Sequence, residues 1–252
     1  MKYISKTIEA DSAYIVPIAD MHIGDKNFDE ELLQQTINYV QKTPNTYVIG
    51  VGDWLNVATK NSKSSSFQQN LTLGEQIDKV NNMFLPIKDR VIGMVQGNHE
   101  KRIEEFCGYD PLIAVCSKLE CQYLKYSAVV SVVLKPKANS GIAYTFYVHH
   151  TTGGGSTPGS KINRINKLRN IVCNADVYLG GHNHALGVMP VVANVIDVNH
   201  QRVIRKRQVL VDCGSYLTWD EAYSEQMMLE PVKLGSPRIR LNGVRRDVHV
   251  SV

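Results

Sequence analysis

The sequence lacks several features that would place the chain in whole classes of protein. Its five cysteines are scattered and never form a Cys-x-x-Cys pair, which argues against a disulfide framework and against a zinc knuckle. No apolar run approaches the roughly 18 residues that a membrane span needs, and the first residues contain no apolar signal-peptide core. We therefore expect a soluble protein of a reducing cytoplasm, without a membrane partner.

Extreme charge and internal repeats are also absent. The formal net charge of +4 would help to attract anionic ligands. It falls short of the strongly basic balance expected for tight, non-specific binding of nucleic acid. With 43% hydrophobic residues in a chain of 252, the protein can bury a large core. We expect one domain that spans residues 1–252.

Short β-branched runs that end abruptly in polar residues predict buried strands. In the first half they alternate with helical patterns, for which Asn27 and Asp29 are candidate caps and Asp110-Pro111 is a helix start. Longer β-rich runs in the second half predict antiparallel hairpins, so we expect an α/β (α+β) fold with two packed mixed sheets and outer helices. The strand runs are 14–19, 47–51, 90–95, 144–148 and 176–179, and the later β-rich runs are 122–135, 188–198 and 203–212.

Potential metal ligands follow each of the five predicted strands. Six of the eight histidines of the chain occur there. Because the carboxyl ends of strands in an α/β sheet face a common crevice, these residues would converge. Imidazole, carboxylate and amide oxygen suit borderline or hard divalent cations, and no cysteine is among them. The motifs are Asp20-Met-His22, Gly52-Asp53-Trp-Leu-Asn56, Gly97-Asn98-His99-Glu100, His149-His150 and Gly181-His182-Asn-His184.

The spacing within the motifs favours a site with two cations. Residues i and i+2 of a strand share a face, so Asp20 and His22 could ligate one ion, and His182 and His184 repeat that spacing. An aspartate between two cations can bridge them and so support in-line displacement at phosphorus. The glycines let the backbone turn sharply and bring the ligands close.

The ordered set of motifs resembles the calcineurin-like metallophosphoesterase superfamily, over residues 14 to about 184. The resemblance implies a four-layer αββα sandwich, in which helices flank two facing sheets. It also implies two divalent metal ions, for which we favour manganese over iron, zinc, nickel or magnesium. Glycine-rich segments after residue 150 and the tail 234–241 are similar to phage-encoded members, in which case the compartment would be the host cytoplasm.

The resemblance also assigns roles to the residues of the motifs. His99 would bind or protonate the leaving-group oxygen, Asp53 would bridge the metals, and the nucleophile would be a metal-bound hydroxide. Either His149 or His150 could face the site from the strand end, and we favour His149, the first residue after the apolar run. The first metal would be held by Asp20, His22 and His184, and the second by Asn98, His182 and one of His149 or His150.

Basic residues near the motifs are candidates for binding the substrate phosphate, together with Asn98. Lys101 and Arg102 follow the Gly-Asn-His-Glu motif, and arginine offers a bidentate fork to phosphate oxygens. Lys161 and Arg164 lie on a predicted amphipathic helix behind a glycine loop. For each pair the alternative is a solvated helix face.

These observations predict a metal-dependent phosphoric ester hydrolase, specifically a phosphodiesterase or nuclease that acts on nucleotides or nucleic acid. The enzymatic alternative is a phosphomonoesterase that acts on proteins or small molecules. Against a protein phosphatase, the chain has Gln96 where that subgroup has an arginine. An alternative of another class is a catalytically inactive scaffold of the same fold that binds a protein partner, like the retromer subunit of this superfamily. The sequence does not predict the oligomeric state.

Overall fold

The β-branched runs of the sequence form the strands of two sheets. The structure is a computed structural model that describes residues 1–59, 62, 69–137, 141–153, 155, 157–219, 225 and 230–252. The five predicted strand runs correspond to observed strands whose ends differ by at most two residues. Within the described residues the strands are β1 (Lys2–Ile8), β2 (Ser12–Ile18), β3 (Thr46–Gly50), β4 (Val91–Val95), β5 (Gln122–Lys125), β6 (Ser127–Leu134), β7 (Ile142–His149), β8 (Val177–Gly180), β9 (Leu186–Asp197), β10 (Arg202–Cys213), β11 (Arg238–Asn242) and β12 (Val248–Ser251).

Both sheets have six strands and both are mixed. The first sheet has the order β12-β11-β2-β3-β4-β5, and β2 to β5 run parallel while β11 is antiparallel to β2. The second sheet has the order β1-β6-β7-β8-β10-β9. In it β7, β8 and β10 run parallel, and β6 and β9 run antiparallel to their neighbours β7 and β10. The carboxyl ends of the parallel strands are where the motifs begin.

The helices begin at residues that the sequence marks as caps. Of the two candidates for the first helix, Asp29 is the cap, and its Oδ1 accepts from the backbone N–H of Leu32 at 2.9 Å. Asp110 caps the fourth helix, with Pro111 at its first position as predicted. The α-helices that the structure describes from end to end are α1 (Glu30–Lys42), α2 (Leu73–Phe84), α3 (Asn98–Cys107), α4 (Pro111–Lys118) and α5 (Pro158–Lys167).

Three apolar cores separate four layers. Side chains of α1 to α4 pack against one face of the first sheet, as Ile37 does near Val48. The second core lies between the sheets and includes Ile49 and Phe146. In the third, Ile165 of α5 packs on the outer face of the second sheet. The expected αββα sandwich is confirmed.

The β-rich runs of the second half behave in two ways. Residues 122–135 divide near residue 126, where the chain passes from β5 in the first sheet to β6 in the second. The pairs β6–β7 and β9–β10 are antiparallel hairpins, as predicted. The sequence also predicts loops at the low-complexity segments 60–69 and 153–160. Most of the first and residues 154 and 156 of the second lie outside the described residues, and residues 158–160 belong to α5 instead. In the part of the chain that is described, no helix is both long and apolar enough to cross a membrane.

Candidate metal centre

The motif residues converge at one edge of the sandwich, to which both sheets contribute. Asp20 follows β2, Asp53 follows β3 and Asn98 follows β4, all in the first sheet. His150 follows β7 and His182 follows β8, in the second sheet. The strand ends of two facing sheets therefore supply opposite sides of one site, as the sequence predicted for strand ends.

The close approach of the paired ligands depends on unusual backbone conformations. The sequence analysis placed Asp20 and His22 on one face of a strand, but β2 ends at Ile18 and β8 ends at Gly180, before both ligand pairs. Asp20 and His22 have φ values of 50° and 49°, in the left-handed region that L-residues rarely adopt. Asp53, His182 and His184 share it, with φ values of 52°, 71° and 49°. The side chains thus converge through left-handed turns, and such strain persists only where the surrounding structure imposes it.

Two glycines make room for the site. Gly52 has a φ of 92°, and a Cβ there would overlap with the imidazole of His150. A Cβ at Gly97 would overlap with Oδ1 and the backbone nitrogen of Asp53. Both positions therefore require glycine so that the carboxylate and the imidazole can approach the backbone.

The ligand atoms form two groups that share Asp53. In the first group, His184 Nε2 lies 3.1 Å from His22 Nε2 and 3.5 Å from Asp20 Oδ1. Oδ2 of Asp53 lies 3.8 Å from Nε2 of His22. Three residue sets have ligand atoms within 4.8 Å of one another: Asp20 with His22 and His184, His22 with Asp53 and His99, and Asp53 with His150 and His182.

The second group surrounds the amide oxygen of Asn98. Nδ1 of His182 and Nε2 of His150 lie 2.7 Å and 3.0 Å from Oδ1 of Asn98. Nε2 of His150 also lies 3.1 Å from Oδ2 of Asp53. The same carboxylate oxygen therefore faces both groups, which is the position a bridging ligand would need.

The structure brings His150 to the site, and not His149, which the sequence analysis favoured. Tyr147 packs in the α5 core and Val148 in the core between the sheets, so the alternation of β7 directs His149 toward the α5 side. There its Nδ1 accepts from the backbone N–H of Thr151 at 2.7 Å. His150 falls on the same side as Val148 and is the histidine in the cluster. The sequence contained a signal for this, because residues 144, 146, 148 and 150 alternate with their neighbours and so fall on one side of the strand.

His99 lies at the mouth of the cluster. Its Nδ1 contacts the carbonyl oxygen of Asn56, and its Nε2 lies 3.9 Å from Oδ2 of Asp53. The rings of His99 and His22 meet edge to face, with centroids 4.3 Å apart. The backbone N–H of His99 donates to Oδ1 of Asp53 at 2.9 Å. The ring is thus fixed by its Nδ1 side, and Nε2 faces the site.

Burial and charge set the protonation of the cluster. Burial holds the pKa of His22 well below its usual range and lowers the pKa of His184 to about 3. At His150 burial opposes the charged form, yet the nearby carboxylates, Asp53 first, raise its pKa to about 10. Burial acts to raise the pKa of Asp53, but the imidazoles, His150 first, hold it well below its usual range. Cations bind neutral imidazoles and ionised carboxylates, so a metal ion at His150 would displace the proton that its raised pKa retains at neutral pH. The donor set of imidazole, carboxylate and amide fits divalent metal ions.

Comparison with known proteins gives similarity only at the level of whole structures. Neither a protein-family model nor a curated protein sequence matches the chain. Vacuolar protein sorting 29 from Cryptosporidium parvum is 15% identical, with 96% of this chain and 98% of that chain covered and a TM-score of 0.47. The NAD nucleotidase of Haemophilus influenzae is 11% identical, with 97% and 50% covered and a TM-score of 0.44. A predicted phosphoesterase from Streptococcus pneumoniae is 13% identical, with 95% and 88% covered and a TM-score of 0.39. Because all three TM-scores are below 0.5, the functional argument depends on the site itself.

Glu100 supports the loop that carries Asp53, a role that the sequence analysis did not assign. Its carboxylate accepts from the backbone N–H groups of Asp53, Leu55 and Gly97 at 3.2, 2.9 and 2.9 Å. Glu100 is the third residue of α3, and its bond to Gly97 belongs to a capping box. A helix start immediately after the glycine was the signal that could have identified this anchor.

A second supporting network connects α5 to His182, and the sequence analysis also missed it. Nη1 of Arg164 donates to the carbonyl oxygen of Gly153 at 2.6 Å and to Oδ1 of Asn183 at 2.9 Å. Nε2 of His182 lies 3.0 Å from the same carbonyl oxygen. Nδ2 of Asn183 donates to the buried Asp212 at 2.9 Å. These partners come from four separate segments, so only the fold brings them together.

The predicted substrate-binding residues occupy different surroundings. Lys101 forms an exposed ion pair with Glu105 at 3.1 Å. Arg102 is half-buried, and its Nη1 lies 3.3 Å from the carbonyl oxygen of Val57. Lys161 and Arg164 lie on α5, the helix beside the His182 loop. Arg102, three residues after His99, shares with it contacts to segment 56–57.

Proposed function

We propose that this chain is a dinuclear metal-dependent phosphoesterase of the calcineurin-like type, formed by one domain over residues 1–252. The observation that carries the proposal is the pair of donor groups that share Oδ2 of Asp53. Phosphoryl transfer by two metals needs such a shared ligand, because the ions must lie close enough to act on one phosphate. Polar and charged side chains are costly to bury, so a cluster of this composition would contribute poorly to an apolar core.

The proposed ligand sets follow the two groups. Asp20, His22 and His184 would hold the first ion. Asn98, His150 and His182 would hold the second, with His150 in the place first given to His149. Asp53 would bridge. We still favour manganese, because nitrogen and oxygen donors without a thiolate suit it. Iron, zinc, nickel and magnesium also bind such donors, to different degrees.

The chain's own residues would divide the remaining work. When bound, the two ions polarise phosphoryl oxygens and lower the pKa of a water that attacks phosphorus. Asp53 holds the groups together through Oδ2, and the Asn98 amide lies where it can also contact the phosphate. His99, whose Nδ1 is held by the carbonyl of Asn56, presents Nε2 to the leaving-group oxygen and, as the imidazolium, would donate the Nε2 proton to it.

We propose a phosphodiester of a nucleotide or nucleic acid as the substrate. Arg102, half-buried beside His99, supports this choice, because a guanidinium near the site can bind phosphate oxygens with two parallel hydrogen bonds. Lys101, Lys161 and Arg164 would add positive charge around the entrance and attract an anionic chain. All five cysteines are unpaired thiols, which supports the cytoplasm as the compartment.

Hydrolysis of bis-p-nitrophenyl phosphate and p-nitrophenyl phosphate, with manganese added, tests the proposal. The wild type is compared with Asp53→Ala and His99→Ala, and with His200→Ala as a matched control, since His200 is exposed at the far end of the β9–β10 hairpin. We expect the diester to be cleaved by the wild type and the control only. Turnover of the monoester alone would favour a phosphomonoesterase. If none of several metals binds and neither ester is hydrolysed, the result would favour a catalytically inactive scaffold of the same fold.

A further inference from the structure

One face of α3 leads from the metal groups to the protein surface. His99, Arg102 and Phe106 are spaced i, i+3 and i+7, so their side chains form a single stripe along the helix. At 1.5 Å of rise per residue the stripe covers about 10 Å. His99 and Arg102 both contact the backbone carbonyls of segment 56–57, which runs beside the stripe.

Arg102 is the cation of this stripe, and no carboxylate of the described residues forms an ion pair with it, although Asp53 and Glu100 lie near enough to favour its charge. Burial lowers its pKa, and among the described residues it forms no ion pair. The adjacent Lys101 differs, because it is paired with Glu105 on another face of the same helix. A partly desolvated guanidinium with a single carbonyl contact has unused N–H groups, and these suit a phosphate.

Phe106 is the outer end of the stripe. Its side chain is 77% exposed, and no aromatic or cationic partner lies against its ring among the described residues. It follows Arg102 by one helical turn, so its ring lies on the path that leads outward from His99. Proteins that bind single-stranded nucleic acid combine exposed aromatic rings, on which bases stack, with cations that bind the phosphate backbone.

We propose that the His99–Arg102–Phe106 face of α3 is the subsite for the leaving group, and that it binds a nucleoside and the strand beyond it. In this subsite Phe106 stacks on the base of the nucleoside that is released, and Arg102 binds the next phosphate of the strand. The bond from phosphorus to the nucleoside oxygen breaks as water adds to phosphorus. The imidazolium of His99 delivers its Nε2 proton to that oxygen, and the proton that the water loses restores the imidazolium. This assignment rests on the proposed function and specifies its substrate as single-stranded nucleic acid.

The base contact is tested with two dinucleotides, one intact and one without the base on the nucleoside that is released. We expect the wild type to prefer the intact substrate by about tenfold in kcat/KM, a typical effect of one base stacked on an aromatic ring. Phe106→Ala should lose this preference, while Tyr3→Ala, which removes an exposed aromatic from β1, should keep it. A preference that persists in Phe106→Ala, or its absence from the wild type, would overturn the assignment.

The phosphate contact is tested with a trinucleotide that carries one further phosphate on the released side. Arg102→Met should raise KM for the trinucleotide more than for the dinucleotide. Lys42→Met is the matched control and should change the two alike, since Lys42 is exposed in the last turn of α1, at the edge of the sheet opposite the site. Equal effects of Arg102→Met on both substrates would remove Arg102 from the subsite. If the wild type cleaves bis-p-nitrophenyl phosphate while these preferences are absent, the subsite fails and the phosphoesterase proposal stands.

Discussion

The Nδ1 atom of His150 lies 2.8 Å from the carbonyl oxygen of Val51. A carbonyl can only accept, so in the neutral imidazole Nδ1 carries the proton and Nε2 keeps its lone pair. Nε2 is the atom that faces Asn98 and Asp53. Because Val51 follows β3 of the first sheet and His150 follows β7 of the second, the packing of the two sheets itself orients this proposed ligand.

Replacing each of the two adjacent histidines should have opposite consequences. His150→Ala removes a donor from the second group, and we expect the second ion to be lost and diester hydrolysis to fall at least 100-fold. His149→Ala should keep both ions, because its ring contacts Thr151 on the α5 side. Elemental analysis of purified protein together with the rate on bis-p-nitrophenyl phosphate distinguishes the two. Loss of one ion in His149→Ala alone would contradict the ligand set proposed here.

Arg164→Met should weaken metal binding in the absence of substrate. Arg164 and His182 both direct donors to the carbonyl oxygen of Gly153, so the arginine holds the acceptor that fixes the imidazole. Loss of such a supporting partner typically weakens metal affinity by about 10 to 100-fold.

Calorimetric titration with manganese measures this affinity. Arg169→Met is the matched control, since Arg169 lies after α5 and bonds to Gln208 and Asn166. Unchanged metal affinity in Arg164→Met, combined with a raised KM, would instead favour its predicted contact with substrate.

The order of the motifs predicted which residues would meet, because each motif follows a buried strand and parallel strands end at the same edge. Local patterns predicted two packed sheets with outer helices, two of which begin at the expected caps Asp29 and Asp110, whereas the four-layer αββα order was implied by the family resemblance. Periodicity was less informative at the site itself. Asp20 and His22 converge through left-handed turns, a conformation that is uncommon for any residue other than glycine and that tertiary packing imposes.

The supporting residues were beyond prediction for a different reason. The interaction of Arg164 with Gly153 and Asn183 requires α5 to dock on the outer face of the second sheet. Nothing in the helical periodicity of 158–167 specifies which loop its polar face will meet. Local rules therefore predicted the elements and the donor types, whereas the hydrogen bonds that orient the donors depend on contacts distant in sequence.

Gly97→Ala should disable the site although it adds only a methyl group. The new Cβ would overlap with the carboxylate and backbone of Asp53 and displace the proposed bridging ligand. A displacement of about 1 Å near the reaction centre can cost on the order of 100-fold in rate. Gly74→Ala in α2 is the matched control, because nothing lies within 4 Å of its added Cβ. Diester hydrolysis near the wild-type rate in Gly97→Ala would show that Asp53 can move without loss.

Asp212→Asn should change how stability depends on pH. Burial raises the pKa of the Asp212 carboxyl to about 7, well above the usual range of an aspartate. In the unfolded chain the carboxyl ionises near pH 4, while in the folded protein it keeps its proton until near pH 7. The wild type therefore loses stability from this group as pH rises from about 4 to 7, by on the order of 3 kcal/mol. Asparagine carries no proton to lose and can still accept from Asn183, which donates to Asp212 at 2.9 Å.

The free energy of unfolding of Asp212→Asn, relative to the wild type, should thus increase between pH 4 and pH 7. Denaturant titrations at several pH values, with a chelator present so that metal binding does not contribute, measure this difference. Asp197→Asn gives the opposite sign, because hydrogen bonds from His200 and Arg202 hold the pKa of the half-buried Asp197 below its usual value. If Asp212→Asn and the wild type have parallel pH profiles, Asp212 ionises in the folded protein at an ordinary pH. Its carboxylate would then be stabilised by Arg164 and Lys161, and the network beside His182 would contain an ion pair.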